Sequence, residues 1–395
     1  MGDFKEKIKN YLDERKEEFI NISHEIHSKP EIGNQEFFAS DLLARTLEKE
    51  GFEITKNIAG YETGFIAKKT LGEGGPNIAF LGEYDALEGL GHACGHNMIG
   101  TISAAAAIAT ANCLKGRPGS LYFFGCPAEE GGVDNASSKS AYVKEGYFKD
   151  IDAAMQLHAS GRNSITTPHL AVDSWRVEFF GKPAHAAADP EKGINALDAM
   201  ILFFSAIGLL RQQLKDEARL HGVILKGGDA PNIIPEYTMA KLYVRAETKE
   251  YCSEISQRVL DICKGAALST GCEYKMERYK NAVDNFLLCP GFDGLYKGIG
   301  EELGMIFEED LEGKGSSDVG NVTQLIPTIQ PYIKIGEDSI CAHTAAFREA
   351  AVSMEADNAV ILGAKALAIC ACELITNKST LEAIKSEYKE ILSKK

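Results

Sequence analysis

At 395 residues the chain exceeds what one ordinary hydrophobic core organises, and two domains are the expectation. Apolar residues make up 45% and charged residues 25%, a balance that excludes a disordered or fibrous chain. With 42 basic and 57 acidic residues the formal charge is −15, which argues against nucleic acid or an anionic membrane as the main partner.

The opening stretch, MGDFKEKIKNYLDERKEEF, is charged and amphipathic, unlike a secretory signal. Glu6 stands where myristoylation of Gly2 would want Ser or Thr. The apolar runs at 99–114 and 359–375 carry Ser, Thr or Lys365 and read as buried helices, not membrane spans. Ten cysteines without regular spacing suggest free thiols in a reducing, cytoplasmic setting.

Apolar residues at 4, 8, 12, 19, 22 and 26 predict one helix over 4–29, stopped before Pro30. His24 and His27 on it read as surface or supporting residues, since no Glu-x-x-His pattern surrounds them. A second helix is expected from an Asn34 N-cap to Glu50, with Gly51 after its end. Strands at 77–81, 121–125 and 153–157, the last ending at His158, then alternate with helices at 99–114 and around 137–145. That βαβ rhythm predicts a mostly parallel sheet. Near 171 the order changes to strand 174–180, helix 194–214, strands 219–226 and 237–245, helix 249–268 and strand 272–280. This is the β-α-β-β-α-β order of a ferredoxin-like module. After 284 the first rhythm resumes through a strand at 331–335, a helix at 350–375 and a charged terminal helix at 374–395. The expectation is an α/β protein: a catalytic domain (1–172 and 284–395) with a mostly parallel sheet, interrupted by an inserted α+β ferredoxin-like domain (173–283).

Residues 82–97, GEYDALEGLGHACGHN, collect Glu83, Asp85, His92, Cys94 and His96 between a strand and a helix, where open α/β sheets build their sites. Asp85, Glu129, Glu130, His158 and His343 each lie at or beyond a predicted strand end, so the topology would bring them to one side. Cys94 and His96, one glycine apart, suit Zn²⁺ or a neighbouring first-row ion. His92 leaves open which imidazole ligates; Asp85 could orient a ligating histidine; Glu83 receives no role. The adjacent Glu129 and Glu130 repel each other unless a cation is near or one is protonated. That invites a division in which one coordinates and the other takes a proton from water; a solvated acidic turn is the plain alternative. His158 or His343 alone would read as a satisfied core or loop histidine. The joint set Cys94, His96, Glu130, His158 and His343, with Glu129 spare, describes metal-assisted hydrolysis.

The motifs GHACGHN (91–97), GCPAEEGG (125–132), GKPAHAA (181–187), NIIP (232–235), GSSDVGN (315–321) and AHT (342–344) carry a resemblance in family order over nearly the whole chain. The chain resembles the dinuclear metallopeptidases of the aminoacylase and glutamate-carboxypeptidase kind, in their Cys-containing amidohydrolase branch. Within that branch it looks most like aminobenzoyl-glutamate hydrolases and β-alanyl-lysine-type dipeptidases. The resemblance implies two divalent ions per subunit (Zn or Mn, with Co or Ni as alternatives) held by Cys94, His96, Glu130, His158 and His343. It implies Glu129 as general base and a homodimer formed through the inserted domain. His185 would then act at the partner's site as an oxyanion donor, with Asn232 and Arg245 on the substrate carboxylate. The chain departs from the carboxypeptidase relatives in carrying Glu83-Tyr84-Asp85 where they have a metal-binding His-x-Asp, from much of its own branch in Asn97, and from the sub-branch it most resembles in Glu88, where proline is more usual. The implied activity is hydrolysis of an N-acyl or N-aminoacyl amino acid or a dipeptide. The competing readings are a silent metal- or peptide-binding relative and a Cys94-nucleophile amidase.

Overall fold

The computed structural model describes residues 2–308 and 315–394. The chain divides into two compact units, Met1–Pro168 with Phe286–Lys395, and His169–Asn285.

The first unit opens on two helices, not the single one expected: α1 (Gly2–Glu14) and α2 (Lys16–Ser28) break at Arg15. The Arg15 guanidinium pairs with Glu18 and Glu50, each at 2.8 Å, which anchors the break. Helix α3 (Phe37–Lys49) also starts later than expected. Asn34 takes a left-handed backbone (φ 65°) and donates its amide to the Asp134 carbonyl, so it cannot cap the helix. The Glu31 carboxylate does so instead, accepting the N–H groups of Phe38 and Ala39 at 2.9 and 3.0 Å.

Strands β1 (Glu53–Lys56) and β2 (Phe65–Gly72) follow, both outside the expected set. Then come β3 (Asn77–Glu83), α4 (His96–Cys113), β4 (Gly119–Cys126), α5 (Ser138–Lys144) and β5 (Ala153–Met155). His158 does not end a strand. It begins β6 (His158–Ser160), because the chain leaves the main sheet after Met155 and pairs elsewhere.

The second unit runs β7 (Ala171–Phe180), α6 (Ala196–Leu210), β8 (Arg219–Lys226), β9 (Tyr237–Ala246), α7 (Lys249–Thr270) and β10 (Glu273–Arg278). Its antiparallel sheet has the order β10-β7-β9-β8, the ferredoxin-like arrangement. Alternation puts Val177, Phe179, Leu242 and Val244 on one face, packed against Phe203 and Ile207 of α6 and Ile255 and Val259 of α7. The other face carries Arg176, Lys241, Tyr243 and Arg245.

Returning to the first unit, the chain forms α8 (Pro290–Glu302), α9 (Val319–Thr323), β11 (Thr328–Ile329), β12 (Tyr332–Lys334), α10 (Ala345–Ala350), α11 (Met354–Thr376) and α12 (Lys378–Ser393). Its main sheet is ordered β1-β2-β4-β3-β5-β11; β4, β3, β5 and β11 are parallel and the β1 and β2 edge is antiparallel. Strands β6 and β12 form a separate parallel pair. Helix α4 is apolar all round and buried over positions 96–111, the signature of a helix inside a core rather than on it. Helix α11 is long and apolar enough to cross a membrane, yet 72% of its most apolar window is buried against the fold.

Register places the chemistry. The parallel pair β3 and β4 aligns Glu83 with Cys126, so the loops after both strands lie side by side.

Candidate metal centre

Four loops of the first unit meet at the C-terminal ends of these strands. Gly95, between Cys94 and His96, has φ 78°, and a Cβ there would meet the Cβ of Ala159 at 2.6 Å. Only glycine lets the chain turn tightly enough to present both donors and start α4. Asn97 follows within α4 and donates to Ser23 Oγ at 2.9 Å and the Ala351 carbonyl at 3.1 Å, a framework position. His24 bonds Asp357 at 2.7 Å and His27 the Arg348 carbonyl at 2.9 Å, so both brace helices. His92 is buried with its ring centroid 6.0 Å from that of His27.

Asp85 ties two loops together. Its Oδ1 lies 2.8 Å from His96 Nδ1, and its Oδ2 accepts the Glu130 backbone N–H at 3.0 Å. Nδ1 is therefore committed, and Nε2 of this fully buried ring faces inward with no hydrogen-bond partner. His158 is arranged alike: Nδ1 meets the Ala159 carbonyl at 2.8 Å, and Nε2 lies 3.7 Å from Cys94 Sγ. His343 enters on a left-handed residue (φ 65°), held by its backbone N–H to the Ala93 carbonyl at 2.8 Å. Its Nε2 is 3.2 Å from Glu130 Oε2, and Glu130 Oε1 is 3.7 Å from His96 Nε2.

Two donor groups combine these residues, Cys94, His96 and His158, and Cys94, Glu130 and His343, with ligand atoms within 4.8 Å in each; a third group is all carboxylate. Cys94 belongs to both of the first two. Mixed S, N and O donors gathered this closely fit divalent first-row ions. The orphaned buried Nε2 of His96 and Oε1 of Glu130 are the atoms such an ion would satisfy.

Glu129 stands beside these groups, its Oε2 4.0 Å from His96 Nε2. Burial, then Glu83 and Asp318, hold its proton affinity well above the usual carboxylate range. Glu130 shifts the other way: burial opposes, but its bond to His343 and the charge of His96 keep it ionised. Neighbouring carboxylates with opposed shifts are what a division between base and ligand needs.

Three residues here had no assigned role from sequence. Glu83 Oε2 reaches within 3.6 Å of His96 Nε2, and Glu83, Glu129 and Asp318 bring carboxylate oxygens within 4.8 Å of one another. Lys139 Nζ sits 2.7 Å from Glu83 and 2.5 Å from Asp318. Glu83 at a strand end and Asp318 in GSSDVGN carried a signal; Lys139, in a polar helix, carried none.

His185 and Asn232 lie in the second unit, next to each other through an isolated bridge between His185 and Ile233 and an N–H from Ala186 to the Asn232 carbonyl at 3.0 Å. His185 Nδ1 accepts the N–H groups of Ala187 and Ala188 at 3.2 Å, which leaves Nε2 as its N–H donor on an exposed side chain. Arg245 lies on the helix-free face of β9, its guanidinium 5.5 Å from the Tyr243 ring centroid.

Behind the centre, Glu36 is fully buried and accepts the Thr63 hydroxyl and the Ala128 N–H, both at 2.8 Å. Ala128 is left-handed (φ 55°), so this carboxylate holds the strained turn that carries Glu129. Burial and then Asp85 push Glu36 up to about 7. From the ordinary value to about 7, the folded chain keeps a proton that the unfolded chain releases. This contribution is therefore full at acid pH and lost as pH rises through 7, about 3 kcal/mol at most. Thermal melts of Glu36→Gln should gain on wild type by that order between pH 5 and pH 8; a pH-independent difference would refute this assignment.

Residues 169–270 match the peptidase dimerisation domain of the M20 family. The chain is 37% identical over 398 residues to the Xaa-Arg dipeptidase of Mus musculus, covering 96% of this chain and 90% of that one. It is 36% identical over 304 residues to one of the p-aminobenzoyl-glutamate hydrolase subunits of Escherichia coli (strain K12), covering 71% of this chain and 61% of that one. A dinuclear metal-binding M20 peptidase of Bacillus subtilis shares the fold with a TM-score of 0.62 at 20% identity, over 90% of this chain and 98% of that one. The chain belongs to the M20 peptidase family and is a metal-dependent hydrolase of amide bonds.

Proposed function

We infer that the enzyme hydrolyses the amide of a dipeptide or an N-acyl or N-aminoacyl amino acid with a free carboxylate on the leaving side. The observation that carries this is the pair of donor groups sharing Cys94 with Glu129 beside them. The two similar enzymes, an Xaa-Arg dipeptidase and an aminobenzoyl-glutamate hydrolase, are named for substrates whose released amino acid bears such a carboxylate. Cys94, His96, Glu130, His158 and His343 would hold two divalent ions, Zn²⁺ or Mn²⁺ first and Co²⁺ or Ni²⁺ as alternatives. When bound, those ions supply Lewis-acid polarisation and a water of lowered pKa. Glu129 takes the proton of the attacking water and passes it to the leaving nitrogen. His185 of the partner subunit donates its Nε2–H to the carbonyl oxygen as charge develops there. Arg245 and Asn232 receive the substrate carboxylate. The test is metal analysis coupled to a screen of dipeptides, N-acyl amino acids and aminobenzoyl-glutamate, with and without chelator. Chelator-sensitive release of a free amino acid is expected; turnover untouched by chelator would overturn the reading.

The assembly is a homodimer, and β8 supplies its edge. Val223, Ile224 and Leu225 are exposed there, and α6 exposes Ile201, Leu202 and Leu209. An apolar edge strand invites pairing with another copy. Val223→Glu with Leu225→Lys should shift light-scattering mass from twice the chain mass to the chain mass. If His185 serves the opposite subunit, kcat should fall with it; a monomeric, fully active variant would contradict that role. None of the ten cysteines is in a disulfide, which supports a cytoplasmic setting.

A further inference from the structure

Lys139 is an ammonium with no access to solvent. It is the second residue of α5, and Asp318 grips it twice: Oδ1 lies 2.5 Å from Nζ, and Oδ2 accepts the Lys139 backbone N–H at 2.8 Å. Its third contact is Glu83 Oε1 at 2.7 Å. Glu83 and Asp318 are 0% and 1% exposed. The buried charge is therefore held by three segments: the end of β3, the first turn of α5 and the residue before α9. Charges this deep exist only when paired, and separating one partner leaves the rest strongly destabilised.

The placement connects this triad to the reaction. Glu83 uses one oxygen on Lys139; the other stands 3.6 Å from His96 Nε2, the atom turned toward the donor groups. Without Lys139, Glu83 would be a free carboxylate inside a metal-binding cluster, and oxygen donors of that kind bind divalent ions. Asp318 and Glu83 also border Glu129 within 4.8 Å. Fixed in place, they form an acidic wall that Glu129 borders directly. Glu129 Oε2 also lies 4.0 Å from His96 Nε2.

We propose that Lys139 is a positioning residue of the hydrolytic site: it withholds Glu83 from the metal ions and holds the carboxylate wall that aims Glu129. This rests on the functional reading above for the identity of the base, while its effect on Glu83 does not. Glu83 then belongs to the protein's own ion-pair framework although it lies among the ligands.

The experiment compares Lys139→Met and the double variant Lys139→Met/Glu83→Gln with wild type. Affinity of the metal-free proteins for Zn²⁺ and Mn²⁺ is read by chelator competition, and kcat and KM with the best amide from the screen. For Lys139→Met the expectation is Zn²⁺ or Mn²⁺ affinity about tenfold tighter, as Glu83 is released. Its kcat should be about 100-fold lower, since the base is misaimed, at a KM little changed. In the double variant affinity returns to the wild-type value while kcat stays low. Affinity and kcat that fall together in Lys139→Met, or an unchanged kcat, would overturn the proposal. Should the single variant fail to fold, the double variant decides: wild-type kcat overturns the aiming role, and affinity above wild type overturns the role of Glu83. If wild type binds metal but hydrolyses no amide, the functional reading fails, and chelator competition still decides whether Lys139 restrains Glu83.

Discussion

Glu129→Gln should remove nearly all turnover, by about 10²–10⁴-fold in kcat, while the protein keeps its metal. The amide is close in shape to the carboxylate and cannot accept the proton of the attacking water. The five candidate ligands are left untouched, because Glu129 approaches His96 Nε2 only to 4.0 Å, farther than Glu130 at 3.7 Å. Stability should move the other way. Wild type buries Glu129 beside Glu83 and Asp318, three carboxylates sharing one ammonium. Neutralising one removes repulsion, so the variant's metal-free melting temperature should equal or exceed that of wild type. Steady-state kinetics, metal analysis and thermal melts of the same preparation check this. Full activity in Glu129→Gln would remove the base from the scheme, and loss of metal with activity would make Glu129 a ligand.

Cys94→Ala is the second large effect, and it falls on the metal. Cys94 alone belongs to both donor groups, so its loss opens both. Removing a partner that merely orients a ligand costs 10–100-fold in affinity, and removing a shared donor should cost more than about 100-fold. The pH dependence gives a second signature. Burial first and Glu130 next raise the Cys94 thiol above its ordinary range, so the metal-free chain holds it protonated at neutral pH. Loading must expel that proton, and affinity rises with pH, by up to about tenfold per unit for this group alone. In Cys94→Ala the slope should fall by one proton. Competition titrations from pH 6 to pH 8 measure it; an unchanged slope would show that Cys94 does not bind as thiolate.

Much of the architecture was legible because it rests on local periodicity. The β-α-β-β-α-β unit could be read from alternation and helical spacing, and β8 was expected at its observed bounds. The antiparallel edge of the main sheet was not legible. Strand β1 is four residues of EITK, mostly exposed, and shows no alternation to detect. It exists because β2 offers it a ladder from Lys68 to Phe65. The late start of α3 has the same origin: Asn34 looks like a cap, but its amide is taken by Asp134, a hundred residues away.

The candidate site divides along the same line. Cys94, His96, Glu129, Glu130, His158 and His343 could be named as candidates because metal chemistry restricts residue types, and strand-loop-helix patterns mark where such residues gather. Glu83, Asp318 and Lys139 could not be paired from sequence, since a buried ion pair leaves no periodic trace. Their meaning depends on distances of 2.5 and 2.7 Å from Lys139 to Asp318 and Glu83, residues far from it in the chain. The sequence by itself determined which side chains could ligate, which could act as base, and most of the strongly periodic strands and helices. Only the tertiary structure decided that Glu83 lies among the candidate ligands and is held there by Lys139. Burial converts charge from a surface property into a demand for a specific partner, and packing chooses which partner answers it.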